Sequence, residues 1–220
     1  MPELNFEILG VDAVPYAAAP TLVFKLQCAQ NCEPGEQPLS IHSVALRCQI
    51  RLERARRRYS PEEQEKLSEL FGEPHRWGQT VRTMLWAHTS VVLPAFSEQT
   101  RVDLPVPCTY DFNVATTKYF DALADGLIPL CFLFSGTIFH EGEDGALQVA
   151  QISWEKEANF RLPVEVWRRM MDLYYPNTAW LCLRKDVFDR LQHYKRSRAM
   201  PSWEQTIESL LTESEEEVAP

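Results

Sequence analysis

Apolar and polar residues alternate with a period of two over most of the first two thirds of the chain. That is the periodicity of strands that bury one face and wet the other. In residues 3–9, Leu4, Phe6 and Ile8 share a side. In 21–28, Leu22, Phe24, Leu26 and Cys28 oppose Thr21, Lys25 and Gln27. The sharpest case is 43–53, where Val44, Leu46, Cys48, Ile50 and Leu52 point one way and Arg47, Gln49, Arg51 and Glu53 the other. Residues 84–93, 100–105 and 108–116 read as further strands, the last with Cys108, Tyr110, Phe112 and Val114 on one side. Residues 128–139 are almost continuously apolar, which predicts a central strand buried on both faces. A hairpin turn follows at 140–145, tightest at Asp144-Gly145, and 146–154 is the returning strand. Its apolar phase slips between Val149 and Ile152, which predicts a bulge.

Helical spacing takes over elsewhere. Ser60, Pro61 and Glu63 spell an N-cap, a first-turn proline and a capping box, with Leu67, Leu70 and Phe71 as the apolar stripe. Gly72 suits a left-handed C-cap. A short helix is expected over 117–126. From Pro163 the character changes: Val164, Trp167, Met170, Met171 and Tyr174 line one helix, stopped by Tyr175-Pro176-Asn177. Val187, Phe188, Leu191 and Tyr194 line a second helix over about 185–197. Trp203, Ile207, Leu210 and Leu211 line a third, opened by Ser202.

Strands first and helices last predict an α+β class: an antiparallel β-sandwich or curled sheet with helices packed on it, concentrated at the C-terminus. One domain is expected over 1–213, mainly β in 1–158 and mainly helical in 159–213. Residues 214–220 read as an acidic, disordered tail.

Hydrophobic residues make up 45% and charged residues 24% of the 220, the balance of a folded globular protein. The net charge is −9, but residues 201–220 hold six acids and no base, which leaves −3 for the rest. Such a surface has no generic attraction to nucleic acid. Residues 1–9 lack the basic and apolar runs of a signal peptide, and the longest apolar stretch, 128–134, is far too short to span a bilayer. A soluble, cytoplasmic protein without membrane insertion is the expectation. In that compartment Cys28, Cys32, Cys48, Cys108, Cys131 and Cys182, none in a C-x-x-C pair, read as reduced thiols, four of them on strands.

Motifs for chemistry are weak. Cys28 and Cys32 form one loose C-x-x-x-C pair where zinc needs two short-spaced pairs. His140, Glu141, Glu143 and Asp144 crowd the 140–145 turn, but a metalloprotease helix needs histidine where Asp144 stands. Glu155 and Glu157 would share one side of a strand, a pairing that acid/base work can use and a sheet edge explains equally well. Ser135-Gly136 lacks the preceding glycine of a nucleophile elbow. No catalytic residue, metal ligand or cofactor is assigned. An enzyme working in a pocket between sheet and C-terminal helices, through Glu155, Glu157 or His88, remains the alternative. A metal carrier built on Cys28, Cys32 and Cys48 is a third reading.

Two features suit binding instead. Residues 51–58 carry five arginines, among them Arg54 and Arg57, able to meet an acidic partner or the chain's own tail. The last third is rich in aromatics, the side chains that dominate interfaces. Trp167, Tyr174 and Trp203, with Arg54 and Arg57, are the candidate partner-binding residues.

Stretches 15–24 (PYAAAPTLVF), 45–53 (ALRCQIRLE), 56–63 (RRRYSPEE), 70–78 (LFGEPHRWG), 102–120 (VDLPVPCTYDFNVATTKYF), 128–139 (IPLCFLFSGTIF) and 166–177 (VWRRMMDLYYPN) together resemble a bacterial family of unknown function. Its genes often accompany those of uptake nickel–iron hydrogenases. The resemblance covers nearly the whole chain and implies an accessory role in assembly, stabilisation or delivery. The implied partner is another protein, a hydrogenase subunit or maturation factor; a second copy of the chain is also admissible.

Overall fold

Strand β3 (Ile41–Leu52), strictly alternating from Val44 to Leu52, is paired along both of its edges. This computed structural model describes residues 2–32, 37–108, 114–142, 144–178, 181 and 183–218. It divides into two units, Met1–Thr178 and Ala179–Pro220.

The first unit is a sandwich of two antiparallel sheets. One has the order β1 (Leu4–Ala13), β2 (Thr21–Gln30), β5 (Gln99–Pro107). The other has the order β4 (Met84–Leu93), β3, β6 (Leu127–Glu141), β7 (Leu147–Gln151), with β8 (Glu157–Pro163) also paired to β6. The inward residues of both sheets meet as aromatic pairs. Phe6 stacks on Phe134 at 4.4 Å, and Phe24 meets Phe132 at 5.0 Å and Phe160 at 5.8 Å. The expected α+β sandwich is thus present, with eight strands and six helices among the described residues.

Helix α1 (Pro61–Phe71) follows its sequence signals to the residue. Ser60 and Glu63 form both bonds of the capping box, and Leu67 and Phe71 are buried. Gly72 ends it at φ +73°, ψ −160°, a glycine region further extended than the left-handed helix expected. A short helix α2 (Trp77–Thr80) leads into β4. Helix α3 (Val114–Ala122) packs on α1 and buries Tyr119 and Phe120. Helix α4 (Val164–Tyr174) leaves β8 without a loop and buries Val164, Trp167, Met170 and Met171.

Four expectations are corrected. Val114, Ala115 and Thr116 are helical, not extended; residues 109–113 lie outside the described residues. β6 buries Ile128, Leu130, Phe132, Phe134 and Ile138 on its inner side, but Ser135 on its outer side is exposed, so it is not buried on both faces. No bulge separates Val149 from Ile152: Ala150 and Ile152 face inward in unbroken phase, and Val149 faces out. The interruption comes later. Ile152 N–H donates to Gly136 O and Phe134 N–H to Lys156 O, so residues 153–155 bulge out before β8 resumes. Glu155 therefore sits in this turn and not on a strand beside Glu157.

The second unit holds α5 (Lys185–Ser197) and α6 (Trp203–Val218). α6 is helical through 214–218, where the sequence reads as a disordered tail. No helix among the described residues is long and apolar enough to cross a membrane.

Candidate interaction site

The candidate binding residues of the first unit turn out to hold the fold together. Trp167 is 3% exposed and packs on Phe120 at 5.1 Å, so it offers no surface. The Tyr174 hydroxyl donates to Val14 O and accepts from Ala17 N–H, both at 2.7 Å, and so pins the β1–β2 connection. Arg54 lies 4.7 Å over the Phe71 ring and donates through Nε to Arg82 O at 2.9 Å. Arg57 is buried; it pairs with Glu63 at 2.7 Å and donates to Leu127 O and Asp125 O at 2.9 and 2.6 Å. Two of the five arginines are therefore engaged in the fold: Arg57 satisfies the carbonyls of the α3–β6 turn and Arg54 that of Arg82, which a charge count cannot show.

Glu63 is the hub of that junction. Its carboxylate accepts from Ser60 N–H, Ala124 N–H and Arg57. Burial alone would raise its pKa, yet the two backbone N–H groups and Arg57 outweigh it and hold Glu63 below the usual carboxylate range.

The candidate chemical groups are scattered. His88 faces solvent from β4, and Glu157 opens β8. His140 is buried, with Nδ1 3.1 Å from Glu141 O. Ser135 lies inside β6, which runs on to Glu141, so no turn presents it. Cys28 is buried and Cys32 exposed; among the described residues no three metal-ligating side chains gather. Burial pushes Cys28, Cys48 and Cys108 up to about 12, and Cys131 upward as well. Since the thiolate is the reactive form, Cys32 is expected to alkylate at pH 8 at least tenfold faster than the other four. Peptide mapping after a timed iodoacetamide pulse checks this; Cys182 lies outside the described residues.

What remains is an uncovered apolar face in the second unit. Phe188 and Trp203 meet at 5.4 Å, Lys195 Nζ lies 5.5 Å from the Trp203 ring centroid, and Glu213 accepts from Tyr194 and pairs with Arg198. Beyond these contacts the apolar stripes of α5 and α6 are exposed. Leu181, Phe188, Ile207 and Leu211 are 71, 40, 39 and 57% exposed. No apolar side chain described in this unit is buried. Leu181, Leu183, Phe188, Leu191, Trp203 and Ile207 line an open groove of about 560 Å³. Lys185 also lines it. The helices differ in charge: α5 ends on Lys195 and Arg196, while α6 carries Glu204, Glu208, Glu213 and Glu215. Sequence spacing predicted these stripes correctly but not that they lack a cover. Of the five candidate residues, Trp203 alone belongs here.

The model of a family of unknown function (DUF6084) matches residues 1–219. No curated protein sequence matches the chain. Among solved structures, it is similar to the CARDB domain of a Pyrococcus furiosus protein crystallised with di-metal ions: 10% identity, 74% of this chain, 87% of that one, TM-score 0.26. A late embryogenesis abundant (LEA) protein is similar at 15% identity over 74% of this chain and 72% of its own, TM-score 0.32. The ApaA protein of Bordetella pertussis is similar at 11% identity over 73% and 93%, TM-score 0.25.

Proposed function

For a chain that belongs to the DUF6084 family, whose function is unknown, we propose a non-catalytic accessory role: docking a larger protein through the C-terminal helix pair, on a rigid sandwich scaffold. One observation carries this reading. α5 and α6 have apolar stripes, and among the described residues no apolar side chain of theirs is buried. Short helices draw their stability from packing an apolar face, and patches of this kind mark interaction sites. A partner surface supplies the missing cover. Its ordering of the pair couples docking to helix stability.

The partner class to test first is the one the family resemblance implies, a subunit or maturation factor of an uptake nickel–iron hydrogenase. The test compares the full-length protein with a Phe188→Asp/Leu211→Asp variant in co-purification from the native host. Leu211 is more than half exposed; Phe188 also packs on Trp203, so its loss costs the helix pair about 1 kcal/mol and leaves the sandwich's own contacts intact. Circular dichroism melts of the sandwich are expected to coincide. The captured partner is expected to fall at least tenfold with the variant. Equal recovery by both proteins rules the helix pair out as the docking element.

A further inference from the structure

Strand β7 is a second surface built to receive another chain. Among the described residues it ends its sheet, paired with β6 alone. At the two ends of that ladder Gly142 N–H donates to Ala146 O and Ile152 N–H to Gly136 O. With His140 opposite Gln148 and Ile138 opposite Ala150, the even-numbered residues of β7 turn their backbone groups towards β6. Leu147, Val149 and Gln151 therefore aim their N–H and C=O groups outward. Natural edges are guarded by charge, proline or a bulge. Leu147–Gln151 holds no charge and no proline, and its side chains Leu147 and Val149 are 61 and 60% exposed. Beside Gln151 opens a recess of about 250 Å³ lined by Leu4, Ile138 and Ile152 together with the polar Glu3, Ser153 and Lys156.

We propose that β7 accepts an extended segment of another protein as a further strand, an alternating apolar run with basic residues at its ends. Outward main-chain groups give the affinity, and alternate side chains the selectivity. Those on one side cover Val149 and Leu147; those on the other reach the recess. The charges choose between occupants. Both ends of β7 are acidic: Glu141 and Asp144 at the hairpin, Glu155 in the bulge. Lys156, after the bulge, is held by Glu3 at 2.7 Å. A second copy, paired antiparallel about Val149, would set the acidic hairpin of each chain against Glu155 of the other. Basic flanks on a different chain are attracted instead. This surface lies on the sandwich and does not depend on the helix-pair reading.

The test uses the full-length protein and a synthetic peptide of alternating valine and threonine with two lysines at each end. A glutamate-flanked peptide and a Val149→Pro variant serve as comparisons. Proline at 149 removes an outward donor and leaves the β6 ladder intact, a position edge strands tolerate. The lysine-flanked peptide is expected to slow amide exchange at Leu147, Val149 and Gln151 at least tenfold. The variant is expected to bind it at least tenfold more weakly, with its β6 amides still protected. Three results overturn the proposal: no added protection at those amides, equal binding of the two peptides, or equal binding by the variant. Protection that grows with protein concentration alone assigns the edge to a second copy and overturns it too.

Discussion

Replacing Gly136 by alanine is expected to cost about 4 kcal/mol, among the largest effects of any single change in this chain. Gly136 lies midway along β6 at φ +149°, opposite Leu46. A Cβ placed there would stand 2.1 Å from Ala45 O, against a floor near 3.0 Å for real contacts. The obstacle is the backbone of the central strand β3, which cannot swing aside as a side chain would. Relief requires parting β3 from β6, the longest pairing in the sheet. The melting temperature is expected to fall by on the order of 10 °C. Gly72→Ala is the matched comparison. It also has positive φ, at +73°, but meets nothing within 4 Å. It is expected to cost about 1–2 kcal/mol through backbone conformation alone. Equal melting shifts for the two would contradict the steric account.

Glu63→Gln is expected to cost about 3 kcal/mol, because it leaves the Arg57 guanidinium charged and buried without its partner. Glutamine has a single acceptor oxygen for the Ser60 and Ala124 N–H groups, so one of those bonds is lost together with the charge. The pH dependence gives the sign. Glu63 is held below its ordinary range in the fold, so its contribution is full above about pH 4.3 and fades as pH falls through the lower folded value. The wild-type advantage over the variant is therefore expected to be constant from pH 6 to 8 and to shrink below about pH 4. Denaturant midpoints across that range check it. A second change, Arg57→Met, is expected to restore part of the loss, with a coupling of about 1–3 kcal/mol in the double-mutant cycle. A variant as stable as wild type at pH 7 would mean that the pair contributes nothing to the α1–β6 junction.

Local signals were the legible ones. The α1 capping box involves residues three apart, and α5 occupies the span its apolar spacing predicts. From Val44 to Leu52 β3 alternates without exception because one of its faces is core over that span. Burial and pairing set by distant elements were not legible. Arg57 looks like any surface arginine until Asp125 and Leu127 bring their carbonyls to it from the α3–β6 turn. Trp167 falls on the apolar stripe of its helix, and only Phe120 against it tells core from interface. Val149 looks like a core residue out of phase, yet it sits in perfect phase on the outer side of an uncovered edge. The helix pair shows the same limit. Periodicity gives an apolar stripe its direction, while what lies opposite is a tertiary fact.

Native-state hydrogen exchange of the full-length protein, alone and then with its co-purified partner, tests the docking claim most directly. Alone, the amides of α5 and α6 are expected to exchange through local opening, far faster than those of β2, β3 and β6, since none of the pair's described apolar side chains is buried. With the partner bound, the same amides are expected to slow by at least a hundredfold while the sandwich is unchanged. Helices in the free monomer as protected as β3, and unmoved by the partner, would show that the apolar face is already covered and would contradict its role as the docking element.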